Sequence, residues 1–153
     1  MKIMPKLLAA ILVASVLFAS AAFAETEEAA DLLTRVLSVV SDADDLIELY
    51  EEDLEELMGI EPDDCADFAY LAPRDALSGR EVIVILAVDE EAAERVAALL
   101  QNYLEGRRTE TKNYLPEAYS LLSEAEVVRE GCLVMLVIGE QADEEIRLLT
   151  AEE

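Results

Sequence analysis

The chain has 153 residues, 35 acidic and 11 basic, and its net charge at pH 7 is −24. Such a charge disfavours binding to nucleic acids and anionic membrane surfaces, because both are recognised through Lys and Arg side chains. The chain also lacks Trp, and it lacks His, which is the most common general base and the usual zinc ligand.

The first 24 residues have the pattern of a cleavable secretory signal peptide. Lys2 and Lys6 form a basic start, residues 7–18 are apolar, and an Ala-Phe-Ala triplet ends at Ala24. The alternative is an uncleaved membrane anchor, but a spanning helix needs about 20 apolar residues and this segment is slightly shorter. No Cys lies at the junction to accept a lipid. We therefore expect cleavage after Ala24 and a secreted or extracytoplasmic protein that is not a lipoprotein.

Residues 25–153 are expected to form one acidic domain. Their 129 residues suffice for a single hydrophobic core. Because both leader lysines are lost and every acid is kept, the net charge becomes −26. Acids alternate with Leu, Val, Ile and Ala in periodic segments, which favours a folded domain over disorder. We expect a basic protein or a cell-envelope component as partner, no nucleic acid, and no stable membrane anchoring after cleavage.

Two helices are predicted at the start of this domain. Apolar residues recur at helical spacing over residues 27–40 and again over residues 46–58. The intervening Ser41–Asp45 segment offers capping side chains for the second helix. Gly59 and Pro62 then end the helical pattern.

A strand hairpin with a long connection is predicted next, formed by residues 67–71 and 81–88 around a Ser78-Gly79 turn. The second strand, EVIVILAV, shows no alternation of polar and apolar residues. Such a strand is covered on both faces or lies at the centre of its sheet.

A third helix is predicted over residues 90–105, capped by Asp89 and ended by Gly106. The segment 107–117 has the composition of a loop. Pro116 suits the first turn of a short helix that reaches Leu122.

The last third predicts a second hairpin, in which residues 125–129 and 132–138 flank a Glu130-Gly131 turn, and a final helix over residues 143–149. The predicted order is α-α-β-β-α-β-β-α. We therefore expect an α+β fold, a two-layer sandwich with four mainly antiparallel strands and helices on one face.

Several local strings, in this order and spacing, resemble a family of exported bacterial proteins known as the domain-of-unknown-function family numbered 4358. The strings are LMGI (57–60), AYLAP (69–73), EVIVILAV (81–88), YLPE (114–117) and GCLVMLV (131–137), which together span nearly the whole mature chain. Members of that family often resemble lipoproteins with a Cys at the cleavage site, which this chain lacks. The resemblance implies a fold and an exported location, and it brings no catalytic residues with it.

The sequence contains no recognisable catalytic or cofactor motif. Its five Gly are scattered singly, so neither a phosphate loop nor a dinucleotide fingerprint is present. Neighbouring carboxylates, which a glycosidase needs, are typical of solvated helix faces in so acidic a chain. The acids from Asp42 onward do not fit an EF-hand loop, because Leu46 and Ile47 stand where a ligand and a Gly are required. We expect no catalytic residue, cofactor or discrete metal site.

Two further sets of residues are candidates for chemistry or contact. Cys65 and Cys132 form a disulfide if their strands are neighbours, since export permits one; the alternatives are two buried thiols or a reactive thiol. Arg107 and Arg108, with Lys112, form the only basic cluster of the mature chain. They either offset the dipole at a helix end or contact a partner beside Tyr114.

The leading functional hypothesis is a non-enzymatic extracytoplasmic binding or accessory domain of unknown ligand. One alternative is a cell-envelope hydrolase that uses carboxylates, or the chemistry of Cys65 or Cys132. Another is a structural assembly partner that associates through an exposed apolar strip. A pocket that combines two or more carboxylates of raised pKa would favour the enzyme.

Overall fold

The computed structural model of the protein describes residues 31–151, so the predicted signal peptide and the first residues of the predicted first helix lie outside the described residues. The main elements, in chain order, are α1 (Leu32–Val39), β1 (Leu46–Leu49), α2 (Glu51–Met58), β2 (Cys65–Pro73), β3 (Glu81–Ala87), α3 (Glu90–Thr111), α4 (Pro116–Glu124), β4 (Val127–Glu130), β5 (Leu133–Ile138) and α5 (Ala142–Thr150). Single 3-10 turns precede β1 and β2.

The five strands form one antiparallel sheet in the order β1-β2-β3-β5-β4. Both predicted hairpins are present, as β2–β3 and β4–β5. The two strands predicted to be central, β3 and β5, pair with each other in the middle of the sheet. The α+β class and the antiparallel sheet are therefore confirmed.

Helices cover both faces of this sheet, which differs from the predicted two-layer arrangement. On one face, Ile83 and Ile85 of β3 pack in a core with α2, α3 and α4, which we call the front layer. On the other face, Val82 and Val84 pack in a second core with α1 and α5, the back layer. Because side chains alternate along a strand, an unbroken apolar run buries residues in both cores.

The fifth strand is β1, within a segment predicted to be helical. Leu46 pairs with Pro73 and Leu49 with Tyr70, so this four-residue strand is an edge of the sheet. Helix α2 begins only afterwards, where the Asp53 carboxylate accepts a hydrogen bond from the Tyr50 N–H (2.8 Å). The apolar spacing of β1 is compatible with a helix, but its pairing with β2 makes it a strand.

Helix α3 also differs from its prediction, because it continues through Gly106 to Thr111. Its predicted cap is confirmed, since the Asp89 carboxylate accepts from the Ala92 N–H (2.8 Å). A Gly inside a helix costs only about 1 kcal/mol, which the contacts of the following turn can offset. The extra turn carries Arg107 and Arg108 on a helix instead of a loop.

The turn before β3 depends on Gly79. Its φ of +73° lies in the left-handed region, and an added Cβ would stand 2.8 Å from the Cβ of Ala118 on α4. Any side chain would therefore push α4 away. This close contact holds the start of β3, where Arg80 and Glu81 lie.

Candidate functional site

A buried cluster of polar side chains surrounds Glu81, the first residue of β3, which is 1% exposed. The hydroxyls of Tyr70 and Tyr103 each donate to its Oε1 at 2.7 Å. Nη1 of Arg107 donates to its Oε2 at 3.1 Å and to the Tyr103 hydroxyl oxygen at 2.9 Å. Tyr70 comes from the neighbouring strand β2, whereas Tyr103 and Arg107 lie one turn apart on α3. The cluster thus joins the sheet to the front layer.

The environment of this cluster keeps its donors protonated. Burial, reinforced by the charge of Glu81, raises the pKa of Tyr103 to about 12 and raises the pKa of Tyr70 further. Burial opposes the charge of Arg107, but Glu81 together with the two tyrosines outweighs it, so the pKa of Arg107 lies above its ordinary value. The two phenols therefore stay neutral and Arg107 stays charged at neutral pH.

These side chains form the floor of a cleft of about 830 Å³ between α3, α2 and the β1–β2 edge, which we call the front cleft. Its volume lies within the range of roughly 300–1,000 Å³ typical of small-molecule sites. Its walls are largely apolar and include Leu49, Leu57, Met58, Leu99 and Leu115. An apolar cleft with a few convergent polar groups is the usual form of a binding site.

A second ionic cluster lies on the back face, at the residue immediately before Glu81. Nη2 of Arg80 contacts Asp42 (2.9 Å) and Glu145 of α5 (2.8 Å), and its Nη1 donates to the Ile138 carbonyl (3.0 Å). The hydrogen bond from Arg80 lowers the pKa of Asp42. A smaller cavity of about 330 Å³ adjoins this cluster. All three guanidinium nitrogens of Arg80 donate to these partners, so the cluster serves to attach α5 to the sheet.

The predicted basic cluster is divided by the structure. Arg107 points into the front cleft, whereas Arg108 donates to the carbonyls of Leu122 (2.8 Å) and Ala125 (2.6 Å) at the end of α4. Arg108 therefore caps a neighbouring helix, as cations do at helix C-termini. Tyr114 is 83% exposed and directly precedes Leu115 of the cleft wall.

The structure does not bring Cys65 and Cys132 together. Cys65 pairs with Ala87 of β3, and the Ala87 N–H donates to the Cys132 carbonyl from the other side of that strand. Two strand spacings amount to about 10 Å, more than the Cα separation that a disulfide spans. Both are free thiols. Burial, reinforced by Asp64 and Glu51, raises the pKa of Cys65 to about 11, which disfavours the reactive thiolate.

Sequence reasoning did not single out Tyr70, Tyr103, Glu81 or Arg80. One signal was available: two adjacent opposite charges open the most apolar strand of the chain. Buried charges in proteins are normally paired, so each charge implied a partner on its own face of the sheet. The identity of those partners had no local signal, because they lie up to 65 residues away.

Residues 31–151 contain neither a membrane-spanning helix nor a metal-binding cluster. No helix there is long and apolar enough to cross a membrane. No group of three or more Cys, Asp or Glu side chains in that range is arranged to hold a metal ion.

The fold and cleft define a class: an antiparallel α+β domain with helices on both faces and one apolar front cleft. A model of the family described as "Domain of unknown function (DUF4358)" matches residues 40–139, and the chain belongs to this family. That range includes β1 to β5 and every side chain of the Glu81 cluster. No curated protein and no solved structure matches the chain.

Proposed function

We propose that the chain is an exported, non-enzymatic binding domain that acts outside the cytoplasm and holds its ligand in the front cleft. The observation that carries this proposal is the cleft itself, with about 830 Å³ of space, apolar walls and a polar floor. The signal-peptide pattern of residues 1–24 supports the exported location.

The arrangement of carboxylates favours binding over hydrolysis. Glu81 and Glu110 are the carboxylates that line the front cleft. The oxygens of Glu81 already accept from two phenols and a guanidinium, and Glu110 lies exposed at the cleft edge. A carboxylate hydrolase needs one residue as a protonated acid and another as a free base or nucleophile. Neither position suits those paired roles.

The perturbed carboxylates elsewhere point the same way. Hydrogen bonds from arginines lower the pKa of Asp42, Asp64 and Glu144. A general acid at neutral pH needs a raised pKa. These groups therefore act as partners of arginines and are unsuited to the role of a general acid.

Site-specific photo-cross-linking in intact cells of the native host tests the proposal. A photoreactive phenylalanine replaces Leu57, which lines the cleft and is 51% exposed. The matched control carries it at Leu37 of the back layer, which is 43% exposed. We expect a discrete adduct from the Leu57 position alone. No adduct, or the same adducts from both positions, would refute a ligand in the front cleft.

The same cells test the location. Mass spectrometry of the extracytoplasmic fraction is expected to find an unlipidated chain that begins at Glu25. A membrane-bound chain that still begins at Met1 would overturn the exported part of the proposal.

A further inference from the structure

Of the nine large apolar side chains exposed within residues 31–151, four lie on the wall of the front cleft or next to it in the sequence. Leu57 lines it directly and is 51% exposed. Three more exposed side chains, at 64%, 62% and 83%, each neighbour a lining residue in the sequence: Tyr50, Leu77 and Tyr114. Apolar surface that extends beyond a cavity is typical of a site for a macromolecular partner. A small molecule enclosed in the cleft would leave this rim in water.

The surface beside this rim is strongly acidic. Helix α2, which supplies Leu57, exposes four glutamates on its remaining surface: Glu51, Glu52, Glu55 and Glu56. In the described part of the chain, these four form no ion pair. Arg107 on the cleft floor is already neutralised by Glu81, and the exposed cations next to lining residues are Arg74 and Lys112. The four glutamates and Glu110 of the cleft wall outnumber these two cations, so the surface around the entrance carries a net negative charge.

We propose that the occupant of the front cleft is a basic, amphipathic peptide segment of another protein. This inference rests on the proposed function and specifies its ligand. Aromatic or aliphatic side chains of the segment enter the cleft and cover the apolar rim, while its Lys or Arg residues face the α2 glutamates. Complementary charge speeds the encounter and selects the partner, and the apolar contacts provide most of the affinity.

Other occupants fit the charge less well. A second copy of this chain brings the same acidic surface, so two such rims repel each other. Anionic lipid headgroups are repelled for the same reason. A neutral apolar ligand makes no use of the glutamates. A basic amphipathic segment covers the apolar rim and also neutralises the negative charge.

Fluorescence anisotropy with a synthetic probe tests this inference on the purified protein. The probe is a short labelled peptide of repeated Lys-Phe-Leu-Lys units. Two control peptides replace every Lys by Glu, or every Phe and Leu by Ser. We expect saturable binding of the first peptide alone, weakened by added salt because exposed charges are screened.

Matched variants locate the binding. Leu57→Ser and Tyr114→Ser should each weaken binding about tenfold, the value expected for loss of one buried side chain. Leu37→Ser on the back layer should leave binding unchanged. The pair Glu55→Gln and Glu56→Gln should weaken binding and reduce its salt dependence. The pair Glu140→Gln and Asp143→Asn removes the same charge near α5 and should have little effect.

Several outcomes would overturn the inference. One is equal binding of the Glu-containing peptide. Another is an equal loss of affinity in the Glu55/Glu56 pair and in the Glu140/Asp143 pair, which would mean that only the total charge matters. A third is concentration-dependent dimerisation, seen by light scattering and abolished by Leu57→Ser. An adduct at Leu57 in cells that proves to be lipid or a small molecule would refute this inference and leave the binding function intact, whereas the absence of any adduct would refute the binding function itself.

Discussion

Replacing Glu81 by Gln is expected to destabilise the protein strongly. The amide keeps the shape and one acceptor for the two tyrosines, but it removes the negative charge that faces Arg107. Breaking a buried ion pair on one side costs about 3–5 kcal/mol, because the other charge is left uncompensated. The Arg107 side chain is 25% exposed, so water solvates it in part. We therefore expect the lower end, about 3 kcal/mol.

Urea denaturation followed by far-ultraviolet circular dichroism measures this loss. With a slope of about 2 kcal/mol per molar urea, the midpoint should fall by about 1.5 M. The control Glu144→Gln breaks the exposed pair with Arg147 and should leave the midpoint nearly unchanged. The double variant Glu81→Gln with Arg107→Met should lose less stability than the sum of the losses in the two single variants. A Glu81→Gln midpoint equal to that of the wild type would refute the buried-pair argument.

Three further predictions address other groups. Arg108→Lys should lower the free energy of unfolding by about 1–2 kcal/mol, because Lys cannot donate to several carbonyls at the end of α4 at once. Hydrogen exchange in α4 that is the same as in the wild type would contradict this prediction. The hydrogen bond from Arg80 lowers the pKa of Asp42 below its ordinary value of 3.8. The contribution of Asp42 to folding stability is therefore present above pH 3.8 and is lost as the pH falls below 3.8 through the lowered pKa. The stability gap between wild type and Asp42→Asn should therefore close in acid, and a gap independent of pH would refute the linkage. Cys65, with a pKa of about 11 against an ordinary 9.0, should be alkylated by iodoacetamide roughly 100-fold more slowly than a free thiol near neutral pH; a rate equal to that of free cysteine would contradict its burial.

The central strands could be predicted because their signal is local. VIVILAV (82–88) and CLVMLVI (132–138) are unbroken apolar runs, and the strands that contain them form the middle of the sheet. The same runs indicated that both faces are covered, since alternate residues of a strand point in opposite directions. The prediction of helices on one face did not follow that indication, although Val82 and Val84 pack under α1 and α5.

The edge strand β1 and the Glu81 cluster could not be predicted, for a shared reason. Strand β1 has four residues whose apolar spacing also suits a helix, and its state is set by pairing with residues more than 20 positions later. The partners of Glu81 lie 11, 22 and 26 positions away on two different elements. Such contacts arise from the tertiary fold, and no local periodicity encodes them.

The adjacent charges Arg80 and Glu81 also select the register of β3. A shift of a strand by one residue turns every side chain to the opposite face. A shift in one direction would place Glu81 at the position of Arg80, beside Glu145 and Asp42. A shift in the other direction would place Arg80 at the position of Glu81, beside Arg107. Either shift would therefore bring like charges together. An apolar strand such as VIVIL barely distinguishes its two faces, whereas this dipeptide does. The exchanged variant, Arg80→Glu with Glu81→Arg, keeps the composition and the net charge, and we expect it to unfold without cooperativity. Cooperative unfolding like that of the wild type would show that apolar packing alone determines which face of β3 lies in which core.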